Sequence, residues 1–436
     1  MRPAPDGPVD GGADQVHAAV TGAYRREWAY VLAATVRVSG DIDVAEECAA
    51  DAFGAALDAW LRDGVPRKPG AWLTTTARRR ALDVLRREKT LRAKLPLLVE
   101  PVTHDPFGTD AEEADVIPDD RLRLVFTCCH PALAREAQVA LTLRLVCGLT
   151  TPEIAQAFLI SEPTMAARMT RAKKKISAAR IPYRVPPSVE LPARLDAVLT
   201  VVHLLFTTGH TAPMGDVLVR PDLVERAIDL ARMLLLLMPD EREVRGLLAL
   251  MLLTDARRAT RVTDDGRLLL LEEQDRTQWD PAAIDEGGAL VVDALRGGRP
   301  GRFALQAAIA ALHAEAPTWE ATDWRQIRDL YDLLLGAWPS PVVDLNRAVA
   351  VAMVDGWAAG LAEVERLEGD ARLTGYRYLA ATKADLLRRL GRNAEAAVAY
   401  REALALTDNP AEERFLTGRL AEVGGGHPAG SRTASP

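Results

Sequence analysis

The sequence predicts an all-α protein. Aromatic residues make up only 5% of its 436 residues, whereas alanine and leucine are abundant and β-branched runs bounded by turns are few. Apolar residues instead recur every three or four positions over long stretches, which is the period of an amphipathic helix. Hydrophobic residues make up 48% of the chain, enough for several buried cores, and the length favours two to four domains.

Composition along the chain predicts the domain boundaries. We expect a disordered segment 1–14, a helical domain 15–95, an acidic linker 96–120, a second helical domain 121–180, a linker 181–190, a helical C-terminal domain 191–423 and a disordered tail 424–436. The start is rich in Pro and Gly and has no apolar core, so it is neither a signal peptide nor a transit sequence. The apolar runs near 198–206 and 233–238 are too short to span a bilayer, which predicts a cytoplasmic protein.

Two amphipathic helices open the first domain. The first is predicted over 15–38, where Val16, Val20, Tyr24, Trp28, Val31 and Thr35 share one face. The second is predicted over 42–61, with Val44, Cys48, Ala52, Phe53, Leu57 and Trp60 turned inward. Its outward residues are acidic, namely Asp43, Glu46, Glu47, Asp51 and Asp58. Such a face is either an ordinary solvated surface or a docking surface for a basic protein.

A basic loop and helix complete the first domain. Between Arg62 and Lys94 there are eleven basic residues and three acidic ones, including Arg67 and Lys68 in a proline-stiffened loop. The helix that follows turns Trp72, Leu73, Ala77, Ala81, Leu82 and Leu85 inward, and its basic residues are Arg78, Arg79, Arg80, Arg86 and Arg87. Cations beside an aromatic ring suit a nucleic-acid surface, although a single tryptophan such as Trp72 is more often a core residue than a stacking platform.

The second domain contains a predicted helix-turn-helix at 149–175. Two preceding helices, 121–129 and 136–148, supply the apolar stripe Leu122, Val125, Phe126, Val139, Leu143 and Val146. In the motif itself, Thr150 or Thr151 caps the first helix, and the second begins at Glu162 and Pro163. This second helix buries Met165 and Met169 and points Arg168, Arg171, Lys173 and Lys174 to solvent. It suits the major groove, but a helical hairpin with a charged face has the same pattern.

The C-terminal half reads as further helices followed by a repeat. Helices are predicted over 191–206, 223–238, 241–259, 281–295, 302–314, 323–337 and 341–353, whereas 207–210 reads as a loop. A polar stretch with Gln274, Arg276 and Trp279 follows a turn at 264–266 and is either a contact site or a capped loop. Residues 346–367 align with 382–403 at an offset of 36, near the roughly 34 residues of a tetratricopeptide repeat. Stacked helix pairs of this kind present a concave surface, for which a regulatory protein or peptide is the expected occupant.

The four cysteines point to thiols rather than to a disulfide scaffold. Cys128, Cys129 and His130 are adjacent, but no paired CxxC or second histidine at ligand spacing accompanies them, so buried thiols are favoured over a zinc site. No phosphate-binding glycine loop, HExxH or GxSxG motif is present. We therefore predict a protein that is not an enzyme and needs no cofactor.

The order of these parts resembles the extracytoplasmic-function (ECF) group of bacterial RNA polymerase sigma factors. The resemblance rests on Ala45-Glu46-Glu47, Asp51-Ala52-Phe53, the stretch AWLTTTARRRALDVLRR at 71–87 and the basic helix-turn-helix downstream, and it covers about 15–180. The first domain resembles region 2 of that group and the second resembles region 4. The C-terminal extension resembles the subgroup with a tetratricopeptide-like domain.

The resemblance implies three sets of contacts. The β′ clamp helices of core RNA polymerase would bind Glu46, Glu47, Asp51 and Phe53, and region 4 implies a contact with the β flap. The melted −10 promoter element would meet Arg67, Lys68, Trp72, Arg78, Arg79, Arg80, Arg86 and Arg87. The −35 element would meet Thr164, Ala167, Arg168, Arg171, Lys173 and Lys174, with Arg168 as the candidate for guanine.

Several residues depart from the pattern of the group, and alternatives stay open. Ala50 and Arg79 stand where many members carry Gln and Asn, and Ala166 and Ala167 replace polar residues, which leaves the promoter sequence undetermined. The acidic segment Glu100 to Asp120 is either a solubilising tether or the connection that passes towards the RNA exit region. The rival function is a free-standing helix-turn-helix regulator with a ligand- or peptide-sensing domain. A helical scaffold without nucleic acid would leave the basic blocks unexplained.

Overall fold

The fold is helical, as predicted. The computed structural model of the chain describes residues 11–94, 120–158, 160–210, 221–263, 268–407 and 409–424. Within these ranges it holds α-helices with short 3₁₀ and π turns, and the only β-type pairing there is one isolated bridge between Val262 and Leu268. The chain packs as two compact units, Met1–Leu204 and Leu205–Pro436. Residues 1–10, most of the acidic linker, the 264–266 turn and the tail after 424 lie outside the described residues.

The N-terminal unit contains the helices predicted for the first two domains. They are α1 (Gly11–Ser39), α2 (Ile42–Asp63), α3 (Pro69–Lys94), α4 (Asp120–Cys128), α5 (Arg135–Leu141), α6 (Thr151–Ala157) and α7 (Glu162–Ala178), and a π-helical turn, Thr142–Val146, continues α5. Asp41 begins α2 because its carboxylate accepts the free backbone N–H groups of Asp43 and Val44. Gly64, with φ +82°, ends the same helix.

Helices α1, α2 and α3 pack around a core that the apolar spacing largely predicts. In α1, Trp28, Val31 and Thr35 are at most 2% exposed. Two leucines predicted to be inward are outward, because Leu57 is 39% exposed and Leu82 43% exposed. The helical period places both residues near the edge of the buried stripe, and the packing of neighbouring helices decides which edge is covered.

The helices around the helix-turn-helix form one core with α1. The predicted stripe of Leu122, Val125, Phe126, Val139, Leu143 and Val146 is buried, and α4 packs directly against α1. The hydroxyl of Tyr183 donates to the carbonyl oxygen of Ala33 at 2.9 Å and to that of Asp120 at 3.2 Å. As the prolines of 181–187 predict, the chain after α7 is not helical, and the next helix begins at Leu191.

Helix α8 (Leu191–His210) is longer than its apolar core suggests. It continues through Thr207–His210, so the predicted loop there is wrong. A side chain at Gly209 would place its Cβ 2.8 Å from the Cβ of Leu223, and glycine permits this close packing. By length and composition alone α8 could cross a membrane, contrary to the prediction for its apolar run. The core helix of a folded domain meets the same criterion of length and composition. Val198 and Val202 of α8 are at most 1% exposed, as in such a core helix.

The C-terminal unit is a succession of helices that follows the predicted pattern closely. They are α9 (Pro221–Leu237), α10 (Arg242–Asp255), α11 (Pro281–Leu295), α12 (Arg302–Glu315), α13 (Trp324–Ala337), α14 (Pro341–Asp355), α15 (Trp357–Leu367), α16 (Arg377–Arg389), α17 (Asn393–Ala405) and α18 (Pro410–Gly424). The polar stretch after residue 268 is a capped loop, since Asp275 accepts the N–H of Thr277 and begins a 3₁₀ turn, Arg276–Gln278.

Helices α14 to α17 form two stacked pairs, in agreement with the predicted repeat. Each consecutive pair among them is in contact. Gly356 (φ +98°) and Gly391 (φ +74°) make the turns within the pairs, and they lie 35 residues apart, one fewer than the offset of the repeat. A Cβ on Gly360 would lie 2.4 Å from the Cβ of Ala352, so α14 and α15 approach more closely than any side chain at 360 permits.

Candidate nucleic-acid interface

The helix-turn-helix is held by side-chain caps on both helices. At the start of α6, the backbone N–H of Thr150 donates to Glu153 at 2.6 Å, and the N–H of Glu153 donates back to the Thr150 hydroxyl at 3.4 Å. This reciprocal arrangement is a capping box. Ser161 caps α7 by accepting the N–H of Thr164. The predicted motif is therefore formed by two capped helices, with Met165 and Met169 buried beneath the second.

Most residues of the −35 set lie together on the open face of α7. Thr164, Ala167, Arg171 and Lys174 are exposed. Arg168 is half-buried, and its guanidinium lies over the ring of Phe158, 5.9 Å from the centroid. A guanidinium stacked in this way is restricted in orientation. Four exposed positions and one oriented arginine thus occupy one side of the helix.

Lys173 differs from the rest of the −35 set. The prediction that it points to solvent is wrong, because its ammonium forms ion pairs with Asp43 at 2.6 Å and with Glu46 at 2.7 Å. Burial lowers the pKa of Lys173, but Glu46 and Asp43 together raise it more, so the net pKa is raised. Lys173 is therefore a firmly charged group that is engaged with α2.

Glu46 is the centre of this network and is itself buried, contrary to its predicted outward position. Its second partner is Arg144, whose Nε donates to Glu46 Oε1 at 2.5 Å. Arg144 also donates to the carbonyl oxygen of Leu149, the first residue of the helix-turn-helix. Sequence reasoning missed Arg144, although a single arginine inside the apolar run ALTLRLVCG was a usable signal, because a charge there needs a buried partner. The π-helical turn carries this side chain to α2.

The other members of the predicted polymerase-binding set occupy different environments. Glu47 is exposed and stays available. Asp51 is exposed and pairs with Arg80 of α3 at 2.6 Å. Phe53 is 5% exposed and packs in an aromatic cluster with Tyr24 and Trp28, at centroid distances of 5.1 and 5.9 Å. The structure thus leaves Glu47 and Asp51 exposed on α2, buries Glu46 against Arg144 and Lys173, and places Phe53 in the core.

The −10 set divides between a loop and helix α3. Arg67 and Lys68 are exposed on the loop before α3, and Arg79, Arg86 and Arg87 are exposed along the helix. Trp72 is half-buried and packs edge-to-face on Trp60, with ring centroids 5.8 Å apart. The Nε of Arg78 donates to the carbonyl oxygen of Ala34 at 3.4 Å. The loop and one side of α3 therefore form a basic surface with a partly open indole at one end.

Three of the four cysteines are buried thiols, among them the predicted Cys128 and Cys129, and Cys147 is half-buried. Cys48, Cys128 and Cys129 are buried and free, and burial raises the pKa of Cys129 to about 11. The Sγ of Cys129 lies 3.5 Å from the Thr142 hydroxyl. In the described part of the chain, no three His, Cys, Asp or Glu side chains cluster as metal ligands.

Comparison with known families agrees with this geometry. Residues 23–90 match sigma-70 region 2, and residues 123–176 match sigma-70 region 4. Residues 194–295 match a family of unknown function, DUF6596. The first two matches cover α2, α3 and the helix-turn-helix, which carry the residues described above, and the third lies in the C-terminal extension.

Two relatives extend the comparison. An uncharacterized protein of Rhizobium meliloti (strain 1021) is 43% identical over 394 residues, which cover 89% of this chain and 92% of that protein. The probable ECF RNA polymerase sigma factor SigI of Mycobacterium tuberculosis is 29% identical over 173 residues, which cover 39% of this chain and 59% of SigI. No solved structure shows a significant match. With sigma region 2, sigma region 4 and a helical extension in this order, the chain belongs to the extracytoplasmic-function family of RNA polymerase sigma factors, which are DNA-binding regulators of transcription initiation.

Proposed function

We propose that this sigma factor brings core RNA polymerase to promoters by recognising a −10 and a −35 element, and that its C-terminal unit modulates this activity. The observation that carries the proposal is the pair of separate basic surfaces in the N-terminal unit. One is the exposed face of α7 and the other is the loop and helix of Arg67 to Arg87. A regulator that reads only duplex DNA needs the first surface and has no use for the second.

Recognition of the −35 element is assigned to α7. An exposed helix face can enter a major groove, and Arg171 and Lys174 are exposed and available for phosphates. Arg168, oriented by Phe158, is the residue that would bond the O6 and N7 atoms of a guanine. Ala167 offers a methyl group that fits against a thymine methyl.

Recognition of the melted −10 element is assigned to the second surface. Arg67 and Lys68 would contact the strand backbone, and Trp72 would offer the open part of its indole to an unpaired base. Arg79, Arg86 and Arg87 extend the positive surface along α3. Arg80 and Arg78 are engaged with Asp51 and Ala34, so their role is to fix the orientation of α3.

Binding to polymerase is assigned to the acidic face of α2, with the β′ clamp helices as the partner, and region 4 is assigned to the β flap. Glu47 and Asp51 are exposed for such a contact. Glu46 is held by Arg144 and Lys173 in the described arrangement, so its contact with polymerase requires these ion pairs to open. Phe53 supports α2 from the core. Since polymerase acts in the cytoplasm, the protein is assigned to that compartment.

Modulation is assigned to the C-terminal unit because its stacked helix pairs are an addition to the two sigma regions. In this proposal, a regulatory protein, peptide or ligand bound to the unit changes transcription. The chain truncated after His210 keeps helices α1 to α8 and removes the rest. Equal transcription by the truncated and full-length chains on the same promoter would contradict the modulating role.

Reconstituted transcription tests the main proposal. Purified core polymerase plus this chain should initiate at discrete sites on fragments of the host genome, and polymerase alone should not. Arg67→Ala combined with Lys68→Ala should reduce initiation on double-stranded promoters more than on templates with a pre-melted −10 bubble. The result that would favour a free-standing regulator is a duplex footprint by the chain alone, without any polymerase-dependent initiation.

A further inference from the structure

The C-terminal unit contains a cavity that the two sigma regions do not use. Its volume is about 310 Å³, and helices α10, α12, α13 and α14 contribute to its walls. Leu253, Ile309 and Leu334 provide apolar surface, with the buried ring of Trp279 beside them. A space of this size and character is typical of a site for a small organic molecule.

One wall of the cavity carries a cation that has no counter-ion in the part of the chain that the structure describes. Arg257 lines the cavity and is half-buried. Within the described ranges its side chain has no ion pair and no hydrogen bond, whereas its neighbour Arg258 pairs with Asp255 at 2.6 Å. Another neighbour, Arg261, bonds the imidazole of His210 at 3.1 Å. A half-buried guanidinium without a partner is only partly solvated, so the cavity is a place where an anion would be stabilised.

The electrostatic surroundings of Arg257 are positive rather than neutralising. Burial and the charge of Arg261 lower the pKa of Arg257 to about 10, and no carboxylate of the described residues opposes this shift. Arg257 nevertheless stays protonated at neutral pH. It therefore presents one full positive charge to the cavity.

Two neutral polar groups line the same space. The Nδ1 atom of His313 is buried and makes no hydrogen bond to the described part of the chain. Burial, Arg257 and Arg276 lower the pKa of His313 to about 4, so its ring is neutral at pH 7. Burial raises the pKa of the Tyr331 hydroxyl to about 12, which keeps it protonated as a hydrogen-bond donor. One cation and two neutral hydrogen-bonding groups thus share the cavity with an apolar lining.

We propose that this cavity is a binding site for a small organic monocarboxylate, whose carboxylate pairs with Arg257 and whose apolar body fills the space between α10, α12 and α13. The single positive charge of Arg257 favours a carboxylate, which carries one negative charge. A phosphate monoester would bring a second negative charge that Arg257 does not neutralise. Any effect of such a ligand on transcription rests on the modulating role proposed above. Binding itself does not, and it is measured without polymerase or DNA.

Isothermal titration of the full-length chain tests the site with four probes: acetate, benzoate, phenylacetate and octanoate. At least one of the three larger acids should bind saturably with one site per chain, and acetate more weakly. Phenylacetamide, the neutral isostere of phenylacetate, should bind at least about tenfold more weakly if phenylacetate is a ligand. Tighter binding of inorganic phosphate than of every carboxylate would overturn the assigned ligand class.

Variants on two walls keep the test decisive. Arg257→Gln should weaken the binding of the tightest carboxylate at least about tenfold. The matched variant Arg299→Gln, at an exposed arginine of the same unit, should leave that affinity unchanged. Ala310→Leu narrows the cavity from α12 without touching the charge, and it should weaken the larger acids more than acetate. Binding to none of the four probes, or equal binding to wild type and both cavity variants, would overturn the proposal.

Discussion

The carboxylate of Glu46 in α2 and the ammonium of Lys173 in α7 lie 2.7 Å apart. Arg144 and Asp43 complete the group, and the side chains of Glu46 and Lys173 are 11% and 16% exposed. Glu46 belongs to the predicted polymerase-binding surface and Lys173 to the predicted DNA-binding surface. While this ion pair is formed, the charge of Glu46 is not available to polymerase and the charge of Lys173 is not available to DNA.

A double-mutant cycle should detect this ion pair as an energetic coupling. Glu46→Gln leaves two half-buried cations without their shared partner and should lower the free energy of unfolding by about 2 to 4 kcal/mol. Combination with Lys173→Met should reveal a coupling of about 1 to 3 kcal/mol. Urea unfolding with hydrogen exchange in α2 measures both. Glu47→Gln, at the exposed neighbouring glutamate, should stay within about 0.5 kcal/mol of wild type, and additive effects at positions 46 and 173 would show that the pair is not coupled.

Removal of the Arg168 side chain should reduce transcription in a way that depends on the promoter sequence, whereas removal of the Arg86 side chain should not. Arg168→Ala should cost about 1 to 3 kcal/mol at one base pair of the −35 element, because it removes the proposed base contact. Arg86→Ala removes the proposed phosphate contact and should weaken all promoters to a similar extent. Transcription from a set of single-base −35 variants measures the difference. A uniform loss with Arg168→Ala would reject its role in base recognition.

Gly360→Ala should destabilise the C-terminal unit. The new methyl group would lie 2.4 Å from the Cβ of Ala352, so α14 and α15 must move apart, at a cost of about 1 to 3 kcal/mol. Gly418→Ala in α18 is the matched control, because a Cβ added there would meet nothing within 4 Å. At position 418 the higher helix propensity of alanine should raise the free energy of unfolding by about 0.5 to 1 kcal/mol. Thermal unfolding of both variants tests the close approach, and equal shifts would contradict it.

Acid should destabilise the C-terminal unit through His210. Burial, Arg261 and Arg257 lower the pKa of this 6% exposed imidazole to about 3. A histidine in the unfolded chain titrates near pH ~6.5, so between that value and pH 3 the unfolded state binds the extra proton. Stability is therefore fully present above pH ~6.5 and falls by up to about 1.4 kcal/mol per pH unit as the pH drops towards 3.

Hydrogen exchange at several pH values in the segments around residues 210 and 261 measures this slope. His210→Asn should reduce it, because the titrating group is gone. The His210→Asn variant should keep a smaller dependence of stability on pH, because it retains His313, whose pKa is lowered to about 4. His17→Asn, at an exposed histidine of the other unit, is the control and should not change it. An unaltered slope in His210→Asn would contradict the assignment.

Much of the fold was predictable because local chemistry decides it. Spacing of apolar residues identified α1 to α3 and the helices from α8 to α14, and Thr150, Ser161, Gly356 and Gly391 mark ends and turns whose backbone groups need those residues. The sigma regions were recognisable from the order of an acidic helix, a basic helix and a helix-turn-helix. The outward positions of Leu57 and Leu82 were not predictable, since the edge of a buried stripe depends on the neighbouring helix.

The sequence by itself determined the helices, their caps and the two basic blocks, because each depends on residues within a few positions along the chain. Only the tertiary structure decided that Glu46 is buried against Arg144 and Lys173, which are 98 and 127 residues away. It also decided that Arg257 faces a cavity while Arg258 finds a carboxylate. The physical reason is that charge pairing and desolvation depend on distances between helices, and helical periodicity carries no information about which helices meet.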